Sequence, residues 1–147
     1  MILNTKNFGE IQVKEEEIIH FPDGIPGFEE LNQYIIIENP DKEVPFHWLQ
    51  SVEETDLAFV IINPFIFKKD YDFKISQNTI DKLDIKKTED VTVYTIVVVP
   101  EDLSKMTANL RAPLIINSQN RKGKQILLDN EEYKARHYIL DEMKQVG

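Results

Sequence analysis

P-F-H-W-L-Q-S-V-E-E-T-D-L-A-F-V-I-I-N-P, residues Pro45 to Pro64, places two β-rich runs on either side of a short acidic turn. The first run holds Phe46, Leu49 and the only tryptophan, Trp48, and ends on Gln50 and Ser51. The second, Leu57 to Ile62, is apolar and stops at Asn63-Pro64. Two such runs joined by a few polar residues read as a β-hairpin. Pro64 has no N–H for a ladder bond, so the second strand ends there. Aromatic and β-branched residues are the usual material of a core, and the hairpin is read first as core.

The pattern on both sides of the hairpin is also β-rich. Ile2-Leu3 opens a strand, and Phe8 to Val13 alternates apolar and polar. The triplet Glu15-Glu16-Glu17 cannot lie in a core and forms a solvated loop or edge. Phe21-Pro22-Asp23-Gly24-Ile25-Pro26-Gly27-Phe28 is a stiff turn in which proline fixes φ and glycine accepts positive φ. Phe21 and Phe28 are expected to anchor it. Tyr34 to Glu38 reads as a buried strand, and Phe65 to Phe73 as an aromatic edge strand.

Ser76 to Leu83 reads as a short helix capped by Ser76. Val91 to Val99 is the strongest strand pattern, with its second half apolar throughout and expected to be buried on both faces. One helical turn is expected over Glu101 to Met106. Ala112 to Asn117 and Lys124 to Leu128 form a second hairpin with Gly123 in its turn. The tail after Tyr133 reads as a strand followed by a frayed helix. Nine or ten short strands without strand–helix alternation predict an all-β fold. The expected form is a small antiparallel β-barrel or closed β-sandwich with two or three short helical turns, spanning residues 1–147 as one domain.

Composition bounds the function. The chain has 147 residues, a net charge of −9 and no cysteine. A disulfide framework, a thiolate metal site and a cysteine nucleophile are excluded. An acidic surface repels phosphate backbones, so direct nucleic-acid binding is disfavoured, and it favours encounter with a basic partner. No apolar run reaches the ~20 residues of a membrane helix, and no secretory leader is recognised, so a cytoplasmic location is expected.

Enzyme signatures are poor. His20, His47 and His137 have no metal-ligand spacing and lie in or beside apolar strands, where a packed histidine is the simpler reading. His20 with Asp23 is the nearest to a metal pair. The serines lack a nucleophile elbow, and the acidic turns offer nothing that would raise a carboxyl pKa. Neither a catalytic residue, nor a metal ligand, nor a cofactor site is expected. The amides of Gln50, Asn63, Asn109 and Asn117 sit beside apolar material and must find partners. They either brace loops or hold a loop in shape for a protein partner.

Four motifs carry a resemblance. They are F-P-D-G-I-P-G-F-E at Phe21–Glu29, P-F-H-W-L-Q-S at Pro45–Ser51 with L-A-F-V at Leu57–Val60, N-L-R-A-P-L-I-I-N at Asn109–Asn117, and Q-I-L-L at Gln125–Leu128 before Tyr133 and Arg136. Together, in this order, they resemble the FliW family of flagellar assembly factors. That resemblance implies a small β-barrel-like fold and a non-enzymatic antagonist. Its expected partners are CsrA, a basic RNA-binding dimer that represses flagellin translation, and flagellin itself. Expected partner contacts are Glu15, Glu16, Glu17, Glu53, Glu54 and Asp56 for charge. Gln50, Ser51 and Asn117 are expected to supply hydrogen bonds, and Trp48 an anchor if exposed. The alternatives are a β-barrel holding a small ligand or an oligonucleotide.

Overall fold

The computed structural model describes residues 1–146. The chain opens with a hairpin of β1 (Ile2–Thr5) and β2 (Gly9–Gln12), turned at Gly9 with φ +66°. A 3₁₀ turn at Glu15–Glu17 leads to β3 (Ile19–His20) and then to β4 (Gln33–Ile37). The central hairpin follows as β5 (Phe46–Ser51) and β6 (Ala58–Ile62), antiparallel with Trp48 opposite Val60. Helix α1 (Gln77–Leu83) precedes the long strand β7 (Val91–Val98). Then come β8 (Thr107–Ala108), β9 (Leu114–Asn117), β10 (Lys122–Gln125), β11 (His137–Tyr138) and helix α2 (Ile139–Val146).

The large sheet closes on itself. β7 pairs with β6 through Thr95, Ile96 and Val97, and with β9 through Val91 to Tyr94. The order β7-β6-β5-β4-β3-β10-β9 therefore returns to β7, as the β-barrel reading expects. Every pairing in the ring is antiparallel except β3 with β10. Closure removes open edges from the ring, while β8 and β11 branch off the end of β7.

Alternation along the strands separates an inner layer from two outer ones. Inside lie Ile19, Phe21, Tyr34, Leu49, Ile61 and Leu114, all at 0% exposure. Each such side chain contributes roughly 1.5–3 kcal/mol by leaving water. Outside β5–β7, Ile62, Phe67, Tyr71, Val97 and Tyr133 form a second cluster. The β1–β2 hairpin closes a third over β4, with Leu3, Val13, Ile18 and Ile35.

Several local expectations are corrected. Phe65–Phe73 is not an edge strand. Asn63 accepts the Phe65 N–H at 3.0 Å and starts a 3₁₀ turn at Pro64–Ile66, which lets the segment fold over the barrel's outer face. There Phe67 is fully buried, and the Tyr71 hydroxyl donates to Leu110 O at 2.6 Å. The last part of β7 is not buried on both faces. Val98 and the following Val99 are exposed because only β8 and β11 continue the sheet there. Gly123 does not make the β9–β10 turn. Arg121 takes the left-handed conformation instead, at φ +60°.

Gly123 lies in β10 because nothing larger fits. A Cβ there would come within 2.8 Å of the buried Phe21 ring. Strand β10 ends at Gln125, so Ile126 to Leu128 are not part of it. The tail strand is only His137–Tyr138, and α2 begins directly after it. Ser76 caps α1 as expected, accepting the Thr79 N–H at 3.2 Å.

Candidate functional site

The loop after β3 and the turn between β5 and β6 meet to form an open groove. Its lining is Phe28, Leu31 and Leu57 with Glu29, Glu30, Glu54 and Asp56, around a volume of about 660 Å³. The floor is apolar and the charged side chains lining it are acidic.

Local chemistry builds each wall. Gly24 turns the loop at φ +68° and donates its N–H to Phe21 O at 2.9 Å. Ile25 is buried and pins the loop to the barrel interior. Gly27, at φ +89°, donates its N–H to both carboxylate oxygens of Glu29, at 3.0 and 2.9 Å. Phe28, expected to anchor the loop, does so from the surface. It is 39% exposed and stands edge-on to Phe59 with centroids 5.3 Å apart, as a groove wall. Of the two flanking rings, Phe21 is the buried one.

The acidic turn is braced from beneath. Ser51 Oγ accepts the Glu54 N–H at 2.9 Å. Gln50 Nε2 donates to Ser51 O at 2.9 Å and Thr55 O at 3.1 Å. Glu53 reaches across to the loop, where its carboxylate accepts the Asn32 and Gln33 N–H groups. That carboxylate also feels Tyr34. Burial first, and the Glu53 charge second, push the Tyr34 hydroxyl up to about 12, so it stays neutral.

The structure sorts the residues expected to meet a partner. Glu54 and Asp56 line the groove, and Glu53 ties its two walls together. Gln50, Ser51 and Asn117 are buried at 0%, 0% and 2%, with their side chains turned inward. Asn117 Nδ2 donates to Leu83 O and Asp84 O at the end of α1, and its Oδ1 accepts the Gln119 N–H. These amides brace loops, as do Asn63 and Asn109 through the turns that they cap.

Trp48 is half-buried, with its ring 5.1 Å edge-on from Phe8. Glu15, Glu16 and Glu17 are exposed but lie outside this groove. Glu17 spends a carboxylate oxygen on the Lys14 N–H at 3.0 Å. Glu29 and Glu30 join the site without having been singled out. The signal was available, since they end the Pro-Asp-Gly loop as two acids beside Phe28.

The remaining chemistry is structural. His47 accepts the Asn39 N–H, and His137 accepts the Lys134 N–H while facing Glu142 at 3.2 Å. Asp23 does not pair with His20. Hydrogen bonds from Lys124 at 2.8 Å and Lys82 at 3.0 Å hold its carboxyl below the usual range. Among the described residues no cluster of three His, Asp or Glu side chains is placed to hold a metal ion. Among the same residues no helix is long and apolar enough to cross a membrane. The arrangement is a shaped acidic surface set on rigid supports.

Comparison with known proteins gives one consistent answer. The family model described as "FliW protein" matches residues 2–139. A flagellar assembly factor FliW from Alkaliphilus metalliredigens is 64% identical over 99% of this chain and 90% of its own. That of Bacillus subtilis is 44% identical over 95% of this chain and 96% of its own. A crystal structure of the flagellar assembly factor FliW superposes with a TM-score of 0.88 at 39% identity, covering 95% of this chain and 96% of that one. This chain belongs to the FliW family of flagellar assembly factors.

Proposed function

We propose that the chain is a cytoplasmic, non-enzymatic antagonist that binds the basic translational regulator CsrA and, alternatively, flagellin. In this reading free flagellin occupies the protein and leaves CsrA to repress flagellin messenger RNA. Export of flagellin releases the protein to capture CsrA. The groove carries the reading: Glu30, Glu54 and Asp56 rim an apolar floor on a chain of net charge −9. An acid-rimmed surface steers a basic dimer toward it. Once bound, its negative field repels RNA phosphates without covering the RNA-binding face.

The two alternatives have less support. Phe21, Tyr34, Leu49 and Ile61 fill the barrel interior where a small ligand would sit. An acidic groove is also a poor platform for an oligonucleotide.

Calorimetry against CsrA tests the proposal, repeated at higher salt and with a flagellin C-terminal peptide already present. Binding is expected to be tight, to weaken as salt screens the charges, and to be lost in an E30K/E54K/D56K variant. The peptide is expected to abolish it. Absence of binding, or an affinity indifferent to both salt and the variant, would overturn the proposal.

A further inference from the structure

A second groove, with the opposite charge, lies away from the first. It is formed by the segment after the Pro64–Ile66 turn, helix α1, the link after it and the start of β7. Phe65, Phe73, Ile75, Ile80, Ile85 and Val91 line a volume of about 660 Å³. Lys74, Lys86 and Lys87 stand on its rim, with Asp72 the acid among its lining residues. Lys86 makes an exposed pair with Asp84 at 3.4 Å, a contact that holds little energy. Among the described residues, neither Lys74 nor Lys87 has a carboxylate within 4.0 Å. Phe65, one of the lining residues, is 41% exposed.

We infer that this groove docks an acidic segment of a partner protein, one that presents bulky apolar side chains flanked by carboxylates. The apolar lining supplies the affinity, and the lysines select the sign of the flanks. Three lysines against one acid among the lining residues make this concave site basic in a chain with 26 acidic and 17 basic residues. A nucleic acid is a poorer fit, because the basic patch is short and the rest of the surface repels phosphate. A lipid surface fits poorly as well, since the apolar side chains line a hollow and the molecule as a whole is anionic. The groove acts independently of CsrA antagonism, and its test uses neither CsrA nor flagellin.

The probes are three synthetic peptides with the same apolar residues, flanked by Glu, Gln or Lys. Each is titrated into the ¹⁵N-labelled full chain, with affinity read from amide shifts. The Glu-flanked peptide is expected to move the amides of Ile75, Ile80, Ile85 and Val91 and to bind at least tenfold tighter than the Lys-flanked one there. A K74E/K86E/K87E variant is expected to reverse that order, with its melting temperature unchanged because all three side chains are exposed.

Equal affinity for the three peptides would overturn the inference. So would shifts confined to other surfaces, or an order that survives the charge reversal. Concentration-dependent shifts of the same amides without peptide would assign the groove to a second copy of the chain and overturn it as well. In wild-type protein the peptide ranking is decisive even if the variant folds poorly.

Discussion

Gly24→Ala and Gly27→Ala form a matched pair that isolates the construction of the acidic groove. Both glycines sit at positive φ, +68° and +89°. Holding an L-residue in that region costs ~1–2 kcal/mol. Alanine also narrows the unfolded ensemble and returns ~0.4–1 kcal/mol. At Gly27 nothing lies within 4 Å of the added Cβ, so the net loss is ~0–1.6 kcal/mol, centred near 1. At Gly24 the Cβ would meet Glu29 Cα and O at 2.6 Å and Glu29 C at 2.8 Å. Those atoms are main chain and cannot rotate away.

Displacing the Glu29 main chain adds ~1–3 kcal/mol, which brings Gly24→Ala to about 2–4 kcal/mol. Urea unfolding followed by Trp48 emission measures both variants, with the slope against denaturant checked for constancy. The shift at Glu29 also disturbs the groove wall, so Gly24→Ala should weaken partner binding more than Gly27→Ala does. If the two variants agreed within ~0.5 kcal/mol, the backbone clash would not govern the loop and the reasoning would fail.

Three further outcomes are expected. Gly123→Ala should cost ~1–3 kcal/mol in the same assay by pressing on the buried Phe21 ring, although its φ suits any residue. Asn117→Ala should cost ~1–3 kcal/mol by stranding the Asp84 carbonyl and the Gln119 N–H, with Leu83 O keeping its bond from Asn120 Nδ2, while partner affinity of the folded protein is unchanged. Asp23→Asn should cost less than ~1 kcal/mol at neutral pH, because the Asp23 side chain is 48% exposed. Its carboxyl is held below 3.8 in the folded state. The stabilisation is therefore present above pH 3.8 and is lost as the pH falls through the folded value, so wild type and variant should converge in acid.

The barrel was legible because its strands carry strong local signals. The Phe46–Ile62 hairpin is bounded by a polar turn and a proline, and β7 is a long β-branched run. What escaped was decided by distant partners. Phe65–Phe73 has strand-like residues, but its aromatic rings find the Leu110–Tyr133 region of the outer layer, and no periodicity encodes that docking. Gly123 read as a turn residue because glycine is the usual occupant of turns. Its actual constraint is the Phe21 ring, about a hundred residues away in sequence. Of the candidate site, the acidic turn was visible, but its meeting with Glu29 and Glu30 depends on Asn32 and Gln33 reaching Glu53. Burial of Gln50 and Ser51 was equally hidden, since amides and hydroxyls beside a turn look the same from the sequence whether they face in or out.

The acids of the groove divide into two kinds, and the division bears on how a partner is read. Glu29 spends its carboxylate on the Gly27 N–H and fixes its own loop, and Glu53 spends its carboxylate on the Asn32 and Gln33 N–H groups and ties the two walls together. Glu30 is exposed, and Asp56 reaches the groove from the far wall. Removing a holding acid alters shape, so it should change the dissociation rate and resist correction by salt. Removing a free acid alters only the field, so it should change the association rate and its salt dependence. Comparison of Glu53→Gln with Glu30→Gln in association kinetics at two ionic strengths therefore tests whether this surface is recognised by form as well as by charge. If both substitutions acted only on the association rate, the groove would serve as a field alone, and the bracing by Gln50, Ser51 and Glu53 would matter for folding and not for recognition.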